Sequence, residues 1–339
     1  MKFRETFEPG FTRRRRGRGW QYLTWNGKPV RSPAIIARLE AVALPPAYAQ
    51  ACYARHADAY LQATGVDAAG RRQYRYHPAF RQSREEAKFA ACPRFGLALP
   101  AIRAAVERDL ALPGVPRERI VAAVVRLLDV AQLRIGNRSY AKANRSHGAT
   151  TLRNRHARVK GSRIWLDYVG KAGVRHRIHV EDARLARLVR RCQDEPGQTL
   201  FQYHDAAGGR HPVTSDDVNA WLKRHGGECF SAKDFRTWGG SVIAYGVLAR
   251  SGGQVTLKTM LGEVAQRLGN TPAVARRSYV HPALIEAALA REPQAWPLPR
   301  ATRWLSPEER GLLAFLEAQG RAETDVRDER GDPPDQPRN

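Results

Sequence analysis

The residue types that can attack a phosphodiester come together in the run Arg276-Arg277-Ser278-Tyr279. A phenol oxygen becomes a nucleophile when neighbouring cations favour its ionised form. Asn270 precedes this tyrosine by nine residues, and its side-chain NH₂ can donate a hydrogen bond to an anionic oxygen. A phenol beside cations, with an amide donor nearby, predicts phosphoryl transfer with a tyrosine nucleophile.

The residues around Asn270 predict two helices that meet at a sharp junction. The first helix should end at Gly269, because glycine adopts the positive φ of a C-terminal cap without strain. Thr271 as N-cap and Pro272 as first helical residue predict that a second helix begins at once. Tyr279 would then lie about two turns into this second helix.

A single tyrosine after two arginines is more often a packing residue than a nucleophile, since tyrosine is commonly half-buried with its hydroxyl paired. The hypothesis therefore depends on further cations that the fold can bring to the same place. Three candidates follow predicted element boundaries: Arg134, Lys171 and Arg236.

The pattern around each cation places it on a particular element. Apolar residues recur at helical spacing over residues 117–133, so Arg134 follows the end of a helix. Residues 154–180 alternate around two glycine turns, which predicts a three-stranded meander with Lys171 at the tip of its second hairpin. A helix-capping pattern places Arg236 in the first turns of another helix.

The charge balance indicates a polyanionic partner. The 339 residues include 57 Lys and Arg against 33 Asp and Glu, which gives a formal net charge of +24. Such an excess repels itself in a compact protein unless a polyanion shares the surface, so the sequence predicts nucleic-acid binding. Charge alone does not separate an enzyme from a non-catalytic basic DNA-binding protein.

Motifs for nucleotide or metal cofactors are missing from the sequence. Neither Gly27-Lys28 nor Gly170-Lys171 continues into a P-loop, and no H-E-x-x-H motif occurs. The four cysteines form no C-x-x-C pair. We therefore expect chemistry by protein side chains alone, with no cofactor and no metal.

Membrane and export signals are also missing. The basic first residues contain no apolar signal-peptide segment, and no run approaches the roughly 18 apolar residues of a membrane span. We expect no membrane partner, and a cytoplasmic, nucleoid-associated protein.

Composition divides the chain into four segments and predicts an α+β fold. Residues 1–19 are a basic lead-in that we expect to be disordered. Residues 20–90 are rich in β-strand signals, and residues 91–319 read as mainly helical around the meander. Residues 320–339 are polar and charged, which predicts a disordered tail.

Basic and aromatic residues alternate just before residue 78. Basic side chains can contact phosphates while aromatic rings pack on sugars or bases. The same alternation fits a half-buried strand with a solvated basic face, so both interpretations stay open. The candidate DNA contacts in this stretch are Arg72, Gln73, Tyr74 and Tyr76.

Five short motifs, in this order, resemble type IB DNA topoisomerases, most closely the small poxvirus-like and bacterial branch. The likeness extends over about residues 20–320, with further similarity at residues 70–76 and 151–154. The motifs are Leu133-Arg134-Ile135-Gly136-Asn137, Val169-Gly170-Lys171, Lys233-Asp234-Phe235-Arg236-Thr237, Leu268-Gly269-Asn270-Thr271-Pro272 and Arg277-Ser278-Tyr279.

The resemblance implies a β-rich N-terminal DNA-clamp domain and a catalytic domain that relaxes supercoils without ATP or metal. Tyr279 would form a 3′-phosphotyrosyl link to one strand of double-stranded DNA. Arg134, Arg236 and Asn270 would stabilise the charge that develops on the phosphoryl oxygens. Lys171 would protonate the leaving 5′ oxygen.

The resemblance also implies a phosphate contact for Tyr140 and a monomeric enzyme. Many relatives have His at the position of Asn270. Asparagine can still donate a hydrogen bond there, but it cannot gain or lose a proton near neutral pH as histidine does. The nearest rival family, the tyrosine recombinases, usually has His at the position of Lys233. Recombinases also have a helical N-terminal domain, so the β-rich residues 20–80 favour a topoisomerase.

Overall fold

The structure is a computed structural model in which residues 3–4, 7–205, 207–291 and 294–329 are described. The chain divides into two compact units, Met1–Lys88 and Phe89–Asn339. The predicted boundary after residue 90 differs from this division by two residues.

The N-terminal unit is built on one antiparallel sheet with the strand order β2-β1-β3-β4-β5. Every neighbouring pair of strands in it is antiparallel. Its elements are β1 Pro9–Arg16, β2 Gly19–Thr24, α1 Pro33–Ala41, β3 Ala49–Ala54, β4 Leu61–Val66, β5 Arg72–Tyr76 and α2 Pro78–Ala90, the last of which continues past the unit boundary.

One face of this sheet is covered by α1. Ser32 caps the helix by accepting from the Ile35 N–H, and Pro33 occupies its first turn. Leu39 of the helix packs with Tyr22 and Tyr53 of the sheet in a small buried core. The opposite face of the sheet is not covered by α1.

The prediction of a disordered lead-in over residues 1–19 was wrong for β1. This strand lies inside the sheet, where it pairs with both β2 and β3. Arg13 turns toward the helix side and donates to the Leu44 carbonyl at 2.7 Å and to the Pro45 carbonyl. Four consecutive arginines conceal the alternation of side chains that would otherwise have indicated a strand.

The second unit is mainly helical and surrounds the predicted meander. It begins with helices α3 Cys92–Leu110, α4 Arg117–Ala131 and α5 Arg138–Asn144. The meander and the next helix are β6 Ala157–Lys160, β7 Arg163–Val169, β8 Arg175–Glu181 and α6 Ala183–Asp194. There follow β9 Gln202–His204, β10 Arg210–Pro212, α7 Ser215–Gly226, α8 Asp234–Arg250, α9 Leu257–Leu268, α10 Pro272–Ser278, α11 Pro282–Ala290 and α12 Pro307–Glu329.

The central prediction for this unit is confirmed. Helix α4 lies in the core, with Ile120, Leu127 and Leu128 fully buried. Strands β6, β7 and β8 form an antiparallel three-stranded sheet in chain order. The predicted α+β class is confirmed as well.

The first ten residues of the predicted disordered tail over residues 320–339 are helical in the structure. Helix α12 runs to Glu329 and is anchored earlier by buried Leu312 and Leu316. Helix-favouring residues continue this helix into the polar segment. Residues 330–339 lie outside the described residues, so for them the disorder stays a prediction.

Within the described ranges, no single helix is both long and apolar enough to cross a membrane. Among the same described residues, the consecutive helices α2 and α3, which are bent by 44° at the break between them, meet the length and composition of a span when taken together. The buried side chains of α3 belong to the core of the second unit.

Candidate active site

Tyr279 lies at the C-terminal cap of α10 rather than inside a helix. Thr271 caps the start of α10 and Pro272 is its first residue, as predicted, but the helix ends at Ser278. The Tyr279 carbonyl accepts from the Ser241 hydroxyl of α8 at 3.2 Å. A side chain at Gly240 would collide with the Tyr279 backbone, so this glycine allows Tyr279 to lie directly on α8.

Arg236 lies one helical turn before Gly240 on α8, and its guanidinium carbon is 4.7 Å from the centre of the Tyr279 ring. Its side chain is buried, with a residue exposure of 4%. It donates to the Gln132 carbonyl after α4 and, at 2.9 Å, to the Leu268 carbonyl of α9. Its Nε is buried and has no hydrogen-bond acceptor within the described part of the chain. One guanidinium thus connects two helix C-terminal ends and remains able to donate further.

Arg134 follows the end of α4 by way of Gln132, which has a left-handed backbone. The Arg134 carbonyl accepts from the Ala149 N–H at 2.8 Å, and a Cβ on Gly148 would touch the same carbonyl. These contacts hold the loop after α4 against residues 148–151. The Arg134 side chain donates to Oδ1 of Asn270.

Asn270 is positioned by the predicted helix end at Gly269. Gly269 has a φ of 60°, and the Asn270 N–H donates to the Ala265 carbonyl at 2.9 Å, which closes the cap of α9. Because Arg134 occupies Oδ1, the amide Nδ2 faces the other way, where it is buried with no acceptor among the described residues. Asn270 is therefore oriented as a hydrogen-bond donor.

Lys171 lies at the tip of the β7–β8 hairpin, as the meander predicts. A single 3₁₀ turn, Lys171–Gly173, makes this tip, and the lysine is exposed. Its ammonium is among the charges that act on the Tyr279 phenol. An exposed hairpin tip leaves the side chain able to move toward a bound phosphodiester.

The electrostatics of the site favour an ionised tyrosine. Burial raises the pKa of the Tyr279 phenol, but Arg236, and then Arg134 and Lys171, lower it, so the pKa lies below its ordinary value of 10.0. Burial and Arg134 in turn lower the pKa of Arg236, while Tyr279 raises it. A negatively charged group bound here would reduce the repulsion between the guanidinium groups of Arg134 and Arg236.

His176 of β8 is a site residue that sequence reasoning missed. Its ring stacks on Tyr168 with centroids 5.1 Å apart, and it fills the space beside both Gly170 and Gly269. These glycines directly precede Lys171 and Asn270. Burial, then Arg134 and Arg236, lower the pKa of His176, which favours the neutral ring. A histidine among the inward-facing residues of β8 was the available signal.

Tyr140 lies on α5, close in sequence to Arg134, with 36% of its surface exposed. Its N–H donates to the side chain of Asn137, which caps this helix. The structure thus brings together Tyr279, Arg134, Arg236, Asn270 and Lys171, while it places Tyr140 on a neighbouring exposed helix.

The four predicted DNA contacts of the N-terminal unit divide between two faces of β5. Arg72, Tyr74 and Tyr76 are exposed on the face that α1 leaves open. Gln73 lies on the other face and donates to the Asp67 carboxylate at 2.9 Å.

Among the described residues, no cluster of three or more His, Cys, Asp or Glu side chains could hold a metal ion. The donors that converge at Tyr279 are cations and amide groups, which bind anions. The arrangement can therefore hold a phosphodiester against an activated phenol, with a lysine close by.

Comparison with protein families gives two matches. The family described as eukaryotic DNA topoisomerase I, catalytic core, matches residues 77–289. The family described as bacterial DNA topoisomerase IB, N-terminal domain, matches residues 19–67.

Individual proteins similar to this chain include viral DNA topoisomerases. DNA topoisomerase 1B of Acanthamoeba polyphaga mimivirus is 27% identical over 285 residues, which cover 80% of this chain and 85% of that protein. DNA topoisomerase 1B of vaccinia virus, strain Copenhagen, is 22% identical over 234 residues, which cover 66% of this chain and 70% of the viral protein.

Proposed function

This chain belongs to the type IB DNA topoisomerase family, because the match to the family's catalytic core covers more than half of the chain, and we propose that Tyr279 is the nucleophile of this isomerase. The substrate is double-stranded DNA. The enzyme cuts one strand, allows the duplex to rotate, and rejoins the same strand.

In the cleavage step, the Tyr279 phenol oxygen attacks the phosphorus and forms a P–O bond while the bond from phosphorus to the 5′ oxygen breaks. The phenol proton goes to water, and the cations around the ring favour the phenolate that remains. The Lys171 ammonium gives its proton to the departing 5′ oxygen. The products are a 3′-phosphotyrosyl strand and a free 5′ hydroxyl.

Arg236, Arg134 and Asn270 bind the non-bridging oxygens of the phosphoryl group as their negative charge increases. Such donors stabilise a transition state best when they are fixed before the reaction. Helix-end carbonyls hold Arg236, and Asn270 and Arg134 hold each other.

The observation that carries this proposal is a pair of unsatisfied donors beside the tyrosine. Arg236 Nε and Asn270 Nδ2 are both buried, and neither has an acceptor among the residues that the structure describes. A buried donor without a partner costs about 1–3 kcal/mol, so such groups call for an explanation. The oxygens of a phosphodiester would satisfy both.

Religation reverses these steps. The 5′ hydroxyl attacks the phosphotyrosine, Lys171 takes its proton back, and the Tyr279 phenolate leaves. The covalent bond keeps the free energy of the phosphodiester, so we propose that neither ATP nor a metal ion is required. We further propose that the enzyme acts as a monomer at the nucleoid in the cytoplasm.

DNA contacts outside the site are proposed for Arg72, Tyr74 and Tyr76, whose side chains are exposed together on the N-terminal sheet. Gln73 and Tyr140 complete the proposed set. Phosphate contacts position a protein on DNA, whereas base contacts give sequence preference.

The test is relaxation of supercoiled plasmid in EDTA without ATP, with the wild type beside Tyr279→Phe. We expect the wild type to relax the plasmid, and the variant to bind duplex DNA equally well without relaxing it. Relaxation by Tyr279→Phe would refute the nucleophile. Relaxation that needs magnesium or ATP would refute the cofactor-free mechanism.

A further inference from the structure

Tyr168 is a second phenol beside the proposed active site. It lies on β7 and pairs directly with His176 of β8, so both side chains point to the same face of the meander. The two rings stack with centroids 5.1 Å apart and planes 17° from parallel. The His156 ring also lies close to Tyr168, with centroids 6.4 Å apart. Tyr168 is buried, with an exposed fraction of 4%, so these neighbours hold its ring in place.

The His176 ring connects Tyr168 to two turns of the proposed site. A Cβ on Gly170 or on Gly269 would collide with the His176 ring, so the ring lies directly against both glycines. These glycines immediately precede the proposed general acid and the proposed amide donor. Tyr168 is therefore packed into the framework that carries two of the proposed catalytic side chains.

Two guanidinium groups act on the Tyr168 phenol. Burial raises the pKa of this phenol to about 12, although Arg236 and then Arg134 act to lower it. The phenol acts in turn on the guanidinium of Arg236. These are the two arginines that we propose to bind the phosphoryl oxygens. At neutral pH the Tyr168 phenol therefore keeps its proton and is a neutral hydrogen-bond donor near both cations.

The Tyr168 hydroxyl has no hydrogen-bond partner among the residues that the structure describes. A buried tyrosine hydroxyl usually has one. Tyr245 of α8 is an example, since its hydroxyl donates to the Pro297 carbonyl at 2.7 Å. The guanidinium groups near Tyr168 offer donors and no acceptor. The Tyr168 hydroxyl therefore needs an acceptor, and an anion bound by the two arginines would supply it.

We propose that the Tyr168 hydroxyl is a further catalytic donor, which hydrogen-bonds a non-bridging oxygen of the phosphodiester held by Arg134 and Arg236. This inference rests on the proposed function, because it takes that cleavage reaction as its premise. The hydroxyl keeps its proton throughout, so the bonds that form and break are those given above. The hydrogen bond strengthens as negative charge develops on the oxygen, and it therefore lowers the barrier to cleavage.

Tyr168→Phe tests this proposal, because it removes one oxygen and keeps the stacked ring. Cleavage is measured in single turnover, with excess enzyme, on a duplex in which the cleavage position has been mapped. We expect the variant to cleave about 10–100-fold more slowly, the usual effect of losing a hydrogen bond to a charged group, with duplex affinity unchanged. Its Tm should equal or exceed that of the wild type, since the hydroxyl has no partner among the described residues to lose.

Tyr245→Phe is the matched control, because it removes a buried hydroxyl that does have a partner in the protein. It should lower the Tm by about 2–4 °C and cleave at the wild-type rate. A wild-type cleavage rate in Tyr168→Phe would overturn the proposal. A Tm loss in Tyr168→Phe as large as that in Tyr245→Phe would also overturn it, because the hydroxyl would then serve the fold.

A modified substrate tests the contact itself. A methyl group in place of one non-bridging oxygen of the scissile phosphate removes one acceptor, and the two stereoisomers each remove a different one. For one isomer, the wild type and Tyr168→Phe should cleave at equal rates, because the contacted oxygen is absent. The other isomer should keep the difference of about 10–100-fold. The same difference for both isomers would show that Tyr168 acts only through its neighbours, and the proposed contact would be wrong.

Failure of the proposed function would give a different result. If the wild type cleaves neither strand of any duplex, the proposed function is wrong and this inference is wrong with it. If the wild type cleaves and Tyr168→Phe cleaves equally fast, the proposed reaction stands and this inference alone is wrong.

Discussion

The proposed active site and the open sheet face both contain several arginines, but the arginines differ in burial and partners. At the site, Arg236 is buried and donates to carbonyls at the ends of two helices. On the sheet, Arg14 and Arg16 remain in water with no acidic partner among the described residues. The first arrangement fixes a few donors in place, and the second spreads charge over a surface.

Burial of the charges in one arrangement and their exposure in the other explain why the first should affect reaction rate and the second DNA binding. A buried, fixed donor acts strongly on developing charge, and the loss of one such donor costs about 10²–10³ in rate. An exposed charge is screened by salt and contributes to binding mainly by releasing counterions. We therefore expect the site to control rate constants and the sheet to control salt dependence.

Lys171 gives the largest expected effect and the sharpest challenge to this comparison, because it is exposed although we propose that it belongs to the site. Lys171→Ala should slow single-turnover cleavage by about 10²–10⁴-fold, the usual contribution of a general acid. A duplex with sulfur in place of the scissile 5′ oxygen should be cleaved nearly normally, since a thiolate leaves without a proton.

Lys160→Ala is the control for this experiment, since Lys160 is exposed at the other turn of the same meander. It should cleave both substrates normally. If Lys171→Ala cleaves the sulfur substrate no faster than the oxygen substrate, Lys171 is not the acid.

Asn270 should show the next largest effect. Asn270→Ala removes the unpaired donor and should slow cleavage by about 10²–10³-fold in single-turnover assays. Asn270→His keeps a donor and should stay within about tenfold of the wild type, with a new dependence on pH. Full activity of Asn270→Ala would show that the buried amide does not touch the phosphoryl group.

His176 tests whether packing around the two catalytic turns matters for rate. His176→Ala would leave space beside Gly170 and Gly269, so we expect cleavage about tenfold slower with duplex affinity unchanged. His176→Phe keeps the ring and should restore most of the rate. His179→Ala, at an exposed position of the same strand, serves as the control. Equal cleavage rates for His176→Ala and the wild type would show that packing by His176 does not influence the reaction.

The smallest expected effect concerns stability at low pH. Burial lowers the pKa of His281 to about 4, from 6.5. The unfolded chain then binds more protons between these values, so His281 stabilises the fold fully above about pH 6.5 and this contribution is lost as pH falls toward 4. The shift corresponds to about 3 kcal/mol of unfolding free energy.

His281→Asn keeps a side chain that can cap α11 and removes the titration, so its unfolding free energy should fall less between pH 7 and pH 4.5 in denaturant experiments. Burial also lowers the pKa of His156 to about 4, so part of the loss should persist. An identical pH dependence in the variant and the wild type would contradict the assignment.

Local sequence signals predicted the parts of the site that depend on short-range structure. Gly269, Thr271 and Pro272 define a helix end and a helix start, and the structure has both. Alternation and glycine turns placed Lys171 on a hairpin tip. These features follow from backbone preferences of individual residues, so one sequence suffices to find them.

Long-range contacts account for what the sequence could not predict. The bond from Arg236 to the Leu268 carbonyl joins residues far apart in the chain, and no local pattern requires it. The contact of His176 with Gly269 is of the same kind. β1 was missed for a different reason, since a run of identical charges looks the same whether or not alternate side chains are buried.

The strand order β2-β1-β3 has a consequence for assembly. During synthesis β1 and β2 emerge before the other strands of this sheet and can form a local hairpin, but β1 stays an open edge until β3, which begins at Ala49, has been made. A shortened protein that begins at Gly19, where the family match starts, would lack an interior strand. It would leave β3 unpaired along one side and β2 without a neighbour, so such a fragment should associate through its free strand edges.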